Sequence, residues 1–383
     1  MASVRRIAVL TTGRQDYGIL RSTVLLLRQT PDFTTLVWAG GTHLQPRFGE
    51  PLALLRRDGV TPDRTLDSLG EPPEPAADAA RTLESVAAAL AADRPEALML
   101  MGDRSETLAA GLAAILAGVP IVHLHGGEET EGAIDNACRH ALTKLSHLHL
   151  VSHPTHAARV VQMGEDPSTV VVVGAPGLDN RYRDDLPGRE ELERSLGIPL
   201  EPPVVLVTMH PTTLGHSQSE ELTAVAQAMA EVPATYVVTA PNADAGGAAI
   251  REFWGRWVSG RKRVVLVETL GETRYWGLLR VGDAVLGNSS SGIIEAPVAG
   301  VPVVNVGDRQ KGRLRVGGVA DVPARADAVA DAIRAALAKG RDSTQANGGY
   351  PDGPAAPRIV AALRAWDAPR PPRKAFSEVP WRG

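Results

Sequence analysis

Short apolar runs alternate with longer amphipathic stretches along the first half of the sequence. The runs are rich in Val, Ile and Leu, as expected of strands that are buried on both faces of a parallel sheet. Stretches of helical periodicity lie between them, for example at 81–92 and 107–117. This alternation is typical of an α/β domain with a doubly wound parallel sheet. We predict its strands at 7–10, 35–38, 97–101, 121–124, 148–151 and 170–173.

The same alternation begins again after a charged segment at 181–194. Two α/β domains in tandem are the simplest explanation, and we predict Rossmann-like domains at 1–185 and 186–355. A last helix is predicted at 357–366, whereas the segment 71–77 and the tail from 369 are expected to be irregular surface chain. The strands of the second domain are predicted at 204–208, 235–239, 264–267, 284–286 and 301–304.

Composition limits the classes of partner. The 383 residues are 44% hydrophobic and 22% charged, which is the balance of a folded globular protein, and a formal net charge of -4 gives no general attraction to nucleic acid or to an anionic membrane. The single cysteine, Cys138, excludes an internal disulfide and a cysteine-based zinc site. The sequence starts with a strand rather than a signal peptide, and the apolar stretch 107–122 is interrupted by Gly118 and Pro120. We therefore expect a cytoplasmic protein without a membrane span.

Polar clusters follow the predicted strands, where open α/β sheets bind their ligands. The first, at 12–18, opens a helix and offers Arg14 and helix amides to an anion, although it can equally be an ordinary turn. It does not match the glycine fingerprint of NAD-binding domains. The second, at 102–106, offers Asp103 as a base or as an orienting group, and its alternative role is to cap the next helix.

The densest cluster follows the fourth predicted strand. It comprises the segment 123–131 and, on the next helix, Asp135, Arg139, His140 and Lys144, whose spacing of four places each pair on one helix face. A solvated, salt-bridged surface is the alternative. Two histidines with Glu128 also suggest a metal, but the spacing of His123, His125 and Glu128 matches no closed zinc site, and both histidines can simply be packed on one strand face.

In the second half, three further clusters suit a nucleotide diphosphate. His210 follows a strand and can act as an acid, a base or a phosphate donor, or can be an ordinary loop histidine. The segment 287–292 precedes a helix that contains Glu295, so its amides and hydroxyls can hold phosphate while the carboxylate accepts from ribose. The segment 307–312 adds cations. Each cluster alone can be a plain polar loop, and together they indicate one diphosphate site.

These motifs together resemble the hydrolysing UDP-N-acetylglucosamine 2-epimerases of sialic acid pathways. The resemblance extends from about 5 to 365. It implies a GT-B architecture, that is, two Rossmann-like doubly wound domains with the active site in the interdomain cleft and a C-terminal helix, at 356–370, that folds back on the first domain. It rests on GDR at 102–104, HLHGGEETEGAIDNACRHALTKLSHLH at 123–149, GEDPSTVVVVGAPGLD at 164–179, PNADAGG at 241–247, GNSSSGIIEAP at 287–297 and NVGDRQKGR at 305–313.

The resemblance also implies a reaction without metal, redox group or other cofactor. The C2 proton is removed and UDP leaves C1, and water then adds to the resulting glycal to give UDP and N-acetylmannosamine. The residues that match catalytic positions are Asp103, Glu128, Asp135 and His210. Those that match substrate-binding positions are Arg14, Arg104, His125, Arg139, Asn242, Tyr275 for stacking on uracil, Ser289, Ser290, Glu295 for ribose, and Arg309. A homodimer or homotetramer is expected by the same resemblance.

The sequence departs from the family pattern at several positions. Some relatives carry a catalytic glutamate where this sequence has His125, which leaves the acid/base role open between His125 and Glu128. Asn136, Met209 and Trp276 also differ from the usual residues, and such changes suit a modified sugar. The first alternative is the same reaction on another UDP-sugar, such as a 2,4-diacetamido-6-deoxy hexose, or on another nucleotide in secondary metabolism. The others are a GT-B glycosyltransferase and an inactive sugar-nucleotide sensor.

Overall fold

The chain forms two compact units in the computed structural model. The structure describes residues 4–46, 52–71, 74–129, 134–211, 218–241, 247–342, 349–369 and 371–379. Unit 1 comprises Met1–Glu128, Ala133–Asp179 and Tyr350–Gly383, and unit 2 comprises Glu129–Gly132 and Asn180–Gly349. The first unit is therefore built from both ends of the chain.

Unit 1 is a parallel sheet covered by helices. Within the described residues the sheet has seven strands in the order β3-β2-β1-β4-β5-β6-β7. The strands are β1 Arg5–Thr11, β2 Phe33–Ala39, β3 Arg64–Thr65, β4 Ala97–Met101, β5 Ile121–Leu124, β6 Leu148–Val151 and β7 Val170–Val172. The helices between them are α1 Arg14–Gln29, α2 Ala53–Arg57, α3 Pro75–Asp93, α4 Ser105–Leu116, α5 Asp135–Leu145 and α6 Pro154–Gln162.

The predicted apolar runs form strands because apolar clusters cover both faces of this sheet. Along β1, Ile7 and Val9 enter one apolar cluster, and Ala8 and Leu10 enter another on the opposite face. These four strand residues are thus removed from water, which an unbroken apolar run requires. The strand order reverses between β1 and β4, and this is the position where ligands bind in such sheets.

Unit 2 repeats the arrangement. Its sheet has six parallel strands among the described residues, in the order β10-β9-β8-β11-β12-β13, and the order reverses between β8 and β11. The half-exposed β13 was not predicted. The strands are β8 Val204–Thr208, β9 Thr235–Thr239, β10 Val264–Val267, β11 Ala284–Gly287, β12 Val303–Val306 and β13 Val319–Val322, and the helices are α7 Arg189–Leu196, α8 Gln218–Glu231, α9 Gly247–Val258, α10 Gly271–Val281, α11 Ser290–Val298 and α12 Ala326–Lys339.

The last helix, α13 Ala355–Ala365, belongs to unit 1. Its Ile359 and Leu363 are fully buried in the same apolar cluster as residues of β1 and α1. Asp179 holds its start, because the carboxylate accepts from the amides of Ala355 (2.6 Å) and Ala356 (2.9 Å). Burial raises the pKa of Asp179.

The tail after α13 is irregular, as predicted, but it is bound to unit 1. Lys374 Nζ lies 2.5 Å from a carboxylate oxygen of the buried Glu165. The Ser377 amide donates to the Gly164 carbonyl (3.0 Å), and Phe376 lies against the same glycine. The expectation of an irregular segment at 71–77 was wrong at its end, since Pro75 begins α3, where the missing amide hydrogen of proline costs nothing.

In the described residues, no helix combines the length and the apolarity that crossing a membrane would require.

Candidate active site

The carboxyl ends of β1 and β4 adjoin where the strand order of unit 1 reverses. Asp16, in the first turn of α1, accepts hydrogen bonds from the Thr12 amide (3.2 Å) and hydroxyl (2.5 Å). Burial raises the pKa of Asp16, and the charge of Arg104, which follows β4, opposes that rise. The polar clusters predicted after these two strands therefore meet, and Arg14 begins α1 there with an exposed side chain.

Asp103 is held by an ion pair with Arg139 of α5. The Arg139 side chain is 2% exposed, and its Nη1 also donates to the Glu128 carbonyl (2.8 Å) and to Asn136 Oδ1 (2.9 Å). The solvated-surface alternative is therefore wrong for Arg139, since a buried guanidinium needs such partners. The capping alternative for Asp103 is also wrong, because Arg104 is the N-cap residue of α4.

The loop after β5 carries a histidine–carboxylate pair. His125 is the first residue beyond the strand and has a left-handed backbone, with φ of +64°. Its Nδ1 lies 2.6 Å from Glu128 Oε1. The loop then passes close to α6, and a Cβ on Gly127 would lie 2.4 Å from the His156 carbonyl oxygen. A left-handed histidine costs about 1–2 kcal/mol, so packing and hydrogen bonds hold this loop.

His123 is a packed histidine and not a partner of His125. Its Nε2 lies 3.0 Å from the Gly102 carbonyl oxygen and its Nδ1 lies 3.3 Å from the Thr143 hydroxyl. Burial lowers the pKa of His123 to about 3. Across the described ranges no three His, Cys, Asp or Glu side chains are grouped to hold a metal ion, and His123, His125 and Glu128 form no such group.

Asp135 begins α5, one turn before Arg139, and is half-buried. The pKa of Cys138 is raised by burial and further by the charges of Asp135 and Glu106, so both carboxylates lie near that thiol. Glu106 also pairs with Arg104 at 3.7 Å. The structure thus connects Asp103, Arg139 and the His125–Glu128 pair in unit 1, and Asp135 lies one turn before Arg139 on α5.

The second set lies in unit 2, where β8 and β11 end side by side. The His210 amide donates to Asn288 Oδ1 (2.7 Å), and Asn288 Nδ2 donates back to the His210 carbonyl (3.0 Å). The Asn288 carbonyl accepts from Arg309 Nη1 (3.1 Å) and Gln310 Nε2 (2.9 Å), and Arg309 Nε donates to Pro211 O (3.2 Å). These bonds join three predicted clusters into one site.

The serines lie at the start of α11, with Ser289 as its N-cap residue and Ser290 as its first residue. Glu295 follows on the same helix. Burial, with a smaller effect from Glu272, raises the pKa of Glu295 to about 8. Burial, and then the charge of Glu295, raises the pKa of Tyr275 well above its usual value, so the two side chains are neighbours. A neutral carboxyl on α11 adds no negative charge to a helix whose start can bind an anion, and this suits an anionic nucleotide.

Sequence reasoning overlooked Ser152 and His156, whereas it included Asn288 in the segment 287–292. It also placed Asn242 in the site, and Asn242 lies outside the described residues. A signal for Ser152 existed, because it follows β6 as the other polar candidates follow their strands. His156 is the third residue of α6, and only the packing of the loop after β5 on this helix brings it close to the site.

Known sequences that are similar to this chain over most of its length include 2-epimerases of nucleotide sugars. The sequence model of the UDP-N-acetylglucosamine 2-epimerase family matches residues 26–364. A UDP-N,N'-diacetylbacillosamine 2-epimerase (hydrolyzing) of Legionella pneumophila is 34% identical over 88% of this chain and 90% of its own length. A GDP/UDP-N,N'-diacetylbacillosamine 2-epimerase (hydrolyzing) of Campylobacter jejuni is 31% identical over 83% of this chain and 84% of its own. A UDP-N-acetylglucosamine 2-epimerase of Neisseria meningitidis is 27% identical over 88% and 89%.

Solved structures agree on the fold. A UDP-GlcNAc 2-epimerase from Neisseria meningitidis, bound to UDP-GlcNAc, superposes with a TM-score of 0.79 at 16% identity and covers 94% of this chain and 99% of its own. The enzyme from Methanocaldococcus jannaschii, in complex with UDP-GlcNAc and UDP, gives a TM-score of 0.76 at 14% identity with the same coverage. The predicted GT-B fold with two Rossmann-like parallel-sheet domains is confirmed.

Proposed function

Because the chain belongs to the UDP-N-acetylglucosamine 2-epimerase family, we propose that it is a hydrolysing 2-epimerase that acts on a UDP-activated 2-acetamido sugar. The observation that carries the proposal is the connected set of Asp103, Arg139 and the His125–Glu128 pair beyond the ends of β4 and β5 in unit 1. Proton transfer needs such groups, with fixed geometry, close to a reacting carbon. A binding protein needs only the set in unit 2.

The reaction has two halves. In the elimination, the C2–H bond breaks and its electron pair forms the C1=C2 double bond. The C1–O bond breaks at the same carbon pair, and UDP leaves with the C1–O electron pair. In the hydration, the oxygen of water bonds to C1 and gives up a proton to a base, while an acid adds a proton to C2 from the opposite face. The products are UDP and the 2-epimeric sugar. At least two acid/base groups are required, since the proton leaves one face and arrives at the other.

The residues divide between these tasks. We assign the proton transfers to Asp103, Asp135 and the His125–Glu128 pair. Arg14, Arg104 and Arg139 supply positive charge around them. In unit 2, His210, Arg309 and the start of α11, with Ser289 and Ser290, bind the diphosphate, Glu295 binds the ribose and Tyr275 stacks on the base. No metal ion is needed in this scheme.

Two sugars are candidates. UDP-N-acetylglucosamine follows from the sequence motifs and would yield N-acetylmannosamine. A UDP-2,4-diacetamido-6-deoxy hexose is favoured by the Legionella and Campylobacter relatives, which are 34% and 31% identical. They are named for UDP-N,N'-diacetylbacillosamine and for GDP/UDP-N,N'-diacetylbacillosamine, respectively. The departures at Asn136 and Trp276 also suit a modified sugar.

Proton NMR in deuterated water tests the proposal. The EDTA-treated protein is incubated with each UDP-sugar, and free UDP together with a 2-epimer deuterated at C2 is the expected result. The preferred sugar is the one with the higher kcat/KM. UDP binding without turnover of either sugar would contradict the epimerase and favour a sugar-nucleotide sensor, whereas transfer to an added acceptor would favour a glycosyltransferase.

A further inference from the structure

Four side chains of unit 1 form a hydrogen-bonded series that ends at His125. His125 Nδ1 lies 2.6 Å from Glu128 Oε1, and the Ser152 hydroxyl donates to the same oxygen at 2.8 Å. The Ser152 oxygen lies 2.9 Å from His156 Nδ1. We call His125, Glu128, Ser152 and His156 the relay. Its members come from three places along the chain, namely the loop after β5, the end of β6 and the first turns of α6.

The direction of each hydrogen bond in the relay follows from its chemistry. A carboxylate only accepts, so both His125 Nδ1 and the Ser152 hydroxyl donate to Glu128. Ser152 has a single hydrogen, and once it is used on Glu128 the hydroxyl oxygen accepts from His156. His156 therefore carries its hydrogen on Nδ1. Burial lowers the pKa of His156 to about 4, which keeps that ring neutral with one hydrogen at pH 7.

The relay fixes which nitrogen of His125 can react. With the hydrogen of Nδ1 directed at Glu128, the lone pair is on Nε2. Nε2 is buried and has no hydrogen-bond partner among the residues that the structure describes. A buried ring nitrogen with a lone pair and no partner is costly in a folded protein unless a ligand or a reaction uses it.

The backbone gives the same ring a fixed direction. His125 has φ of +64°, and its amide donates to the Leu150 carbonyl at 3.3 Å. Arg159 of α6 donates to the Gly127 carbonyl, which holds the loop on the helix that carries His156. A strained backbone that is over-determined by its surroundings is common where geometry serves a reaction.

We propose that His125, through Nε2, is the residue that takes the C2 proton in the elimination, and that Glu128, Ser152 and His156 are positioning residues behind it. The proposal rests on the proposed function. The C2 proton forms a bond to Nε2, the former C2–H electron pair becomes the C1=C2 bond, and UDP leaves C1. Glu128 stabilises the imidazolium, which then releases its proton to water. This assignment gives Glu128 an orienting role rather than the role of the acid/base itself.

The first test is spectroscopic and needs no turnover. Long-range proton–nitrogen correlation spectra of full-length protein with nitrogen-15 histidine rings distinguish the two neutral tautomers. His125→Gln and His156→Gln identify the two ring systems. We expect hydrogen on Nδ1 in both rings above neutral pH, and a changed His156 pattern in Ser152→Ala. Hydrogen on Nε2 of His125 would overturn the proposal, because Glu128 would then have to be the proton donor.

The second test separates kcat from KM. His125→Gln should lower kcat by ~10²–10⁴-fold and leave KM within about threefold. Ser152→Ala should lower kcat by about 10-fold, the equivalent of one hydrogen bond to a charged group. Ser146→Ala is the matched control, since this buried serine of unit 1 donates to the Leu142 carbonyl (2.7 Å) outside the relay. It should lose stability without losing kcat.

The outcomes separate the two proposals. A wild-type protein that releases no UDP from either sugar contradicts the proposed function. A wild-type protein that is active, with a His125→Gln variant that keeps its kcat or raises KM alone, contradicts the role of His125. A Ser152→Ala variant with the kcat of Ser146→Ala removes Ser152 and His156 from the relay.

Discussion

The two units place polar loops at the same position of the same fold, yet they fill it with different chemistry. In unit 1 the loops after β4 and β5 gather ionisable side chains, and Asp103 with Arg139 and His125 with Glu128 are paired there. In unit 2 the reversal gathers the His210 backbone, the Gln310 amide and the Arg309 guanidinium around Asn288. The carboxyl of Glu295 nearby is held neutral at pH 7 by burial.

This difference teaches that the fold supplies a place and the loops supply the function. Proton transfer needs groups that change charge, and the pairs of unit 1 keep such groups oriented. Binding a diphosphate needs donors that keep their charge state, and backbone amides at a helix start do so. The comparison therefore predicts that substitutions in unit 1 lower kcat. Substitutions in unit 2 are expected to disturb the backbone or to weaken nucleotide binding.

The largest expected effect is that of Asp135→Asn. This change removes one carboxylate of unit 1 without removing the partner of the buried Arg139, so we expect kcat to fall by ~10²–10⁴-fold while UDP still binds. Turnover by NMR and UDP affinity by calorimetry are the measurements. Asp67→Asn is the control, because Asp67 is an exposed aspartate of the same unit. Wild-type kcat in Asp135→Asn would remove this residue from the mechanism.

A smaller but clear effect is expected for Gly287→Ala at the end of β11. Gly287 has φ of +137°, and a Cβ there would lie 1.9 Å from the Thr208 carbonyl oxygen. We expect a loss of roughly 3 kcal/mol or more in the free energy of unfolding, with a melting temperature lower by about 6–12 °C. Circular dichroism during heating measures it.

Gly292→Ala is the matched variant for that experiment. Gly292 has ordinary backbone angles, and its added Cβ would lie 3.5 Å from two valine side chains, which is normal contact. Its melting temperature should be close to that of the wild type. Equal melting temperatures for the two variants would show that the backbone at 287 is not constrained, and the description of the unit 2 loop would then be wrong.

The smallest effect concerns pH and Glu295. Its pKa is about 8 in the folded chain against 4.5 for a free side chain, so the folded state binds more protons between these values. Its contribution to stability is thus full below pH 4.5 and is lost as the pH rises through 8. Melting temperatures from pH 5 to 9 should fall less steeply for Glu295→Gln. Glu252→Gln, at a 70% exposed position, should follow the wild type, and parallel curves for all three proteins would contradict the neutral carboxyl.

The strands could be predicted well because buried parallel strands leave a strong signal. The run 235–239 matches β9 residue for residue, and 7–10 lies inside β1. The two-residue β3 and the half-exposed β13 gave no such signal, since neither has an unbroken apolar run. The starts of helices leave a weaker signal in the sequence. Pro75 was read as loop chain because proline disfavours helices except in their first turn.

The site residues that directly follow strands could be predicted from the sequence. The residues with which they form ion pairs and hydrogen bonds could not. Asp103 and Arg139 are 36 residues apart in sequence, so nothing local indicated that they pair. The conformation of His125 could not be foreseen either, because left-handed backbone is expected at glycine and the following Gly126 and Gly127 were the natural candidates. Ser152 and His156 needed the packing of α6 on the loop.

One further consequence concerns how the chain is made. Unit 1 is complete only with α13 and with the tail that follows it, whose Lys374, Phe376 and Ser377 contact the rest of the unit. All these segments follow unit 2 in sequence. At 5–20 residues per second, the ribosome needs about 10 to 30 s to synthesise Asn180–Gly349 before these segments emerge. During that interval the apolar surface that receives Ile359 and Leu363 is uncovered on the nascent chain. A chaperone that shields apolar surface during translation should therefore raise the yield of this protein most when translation is slow.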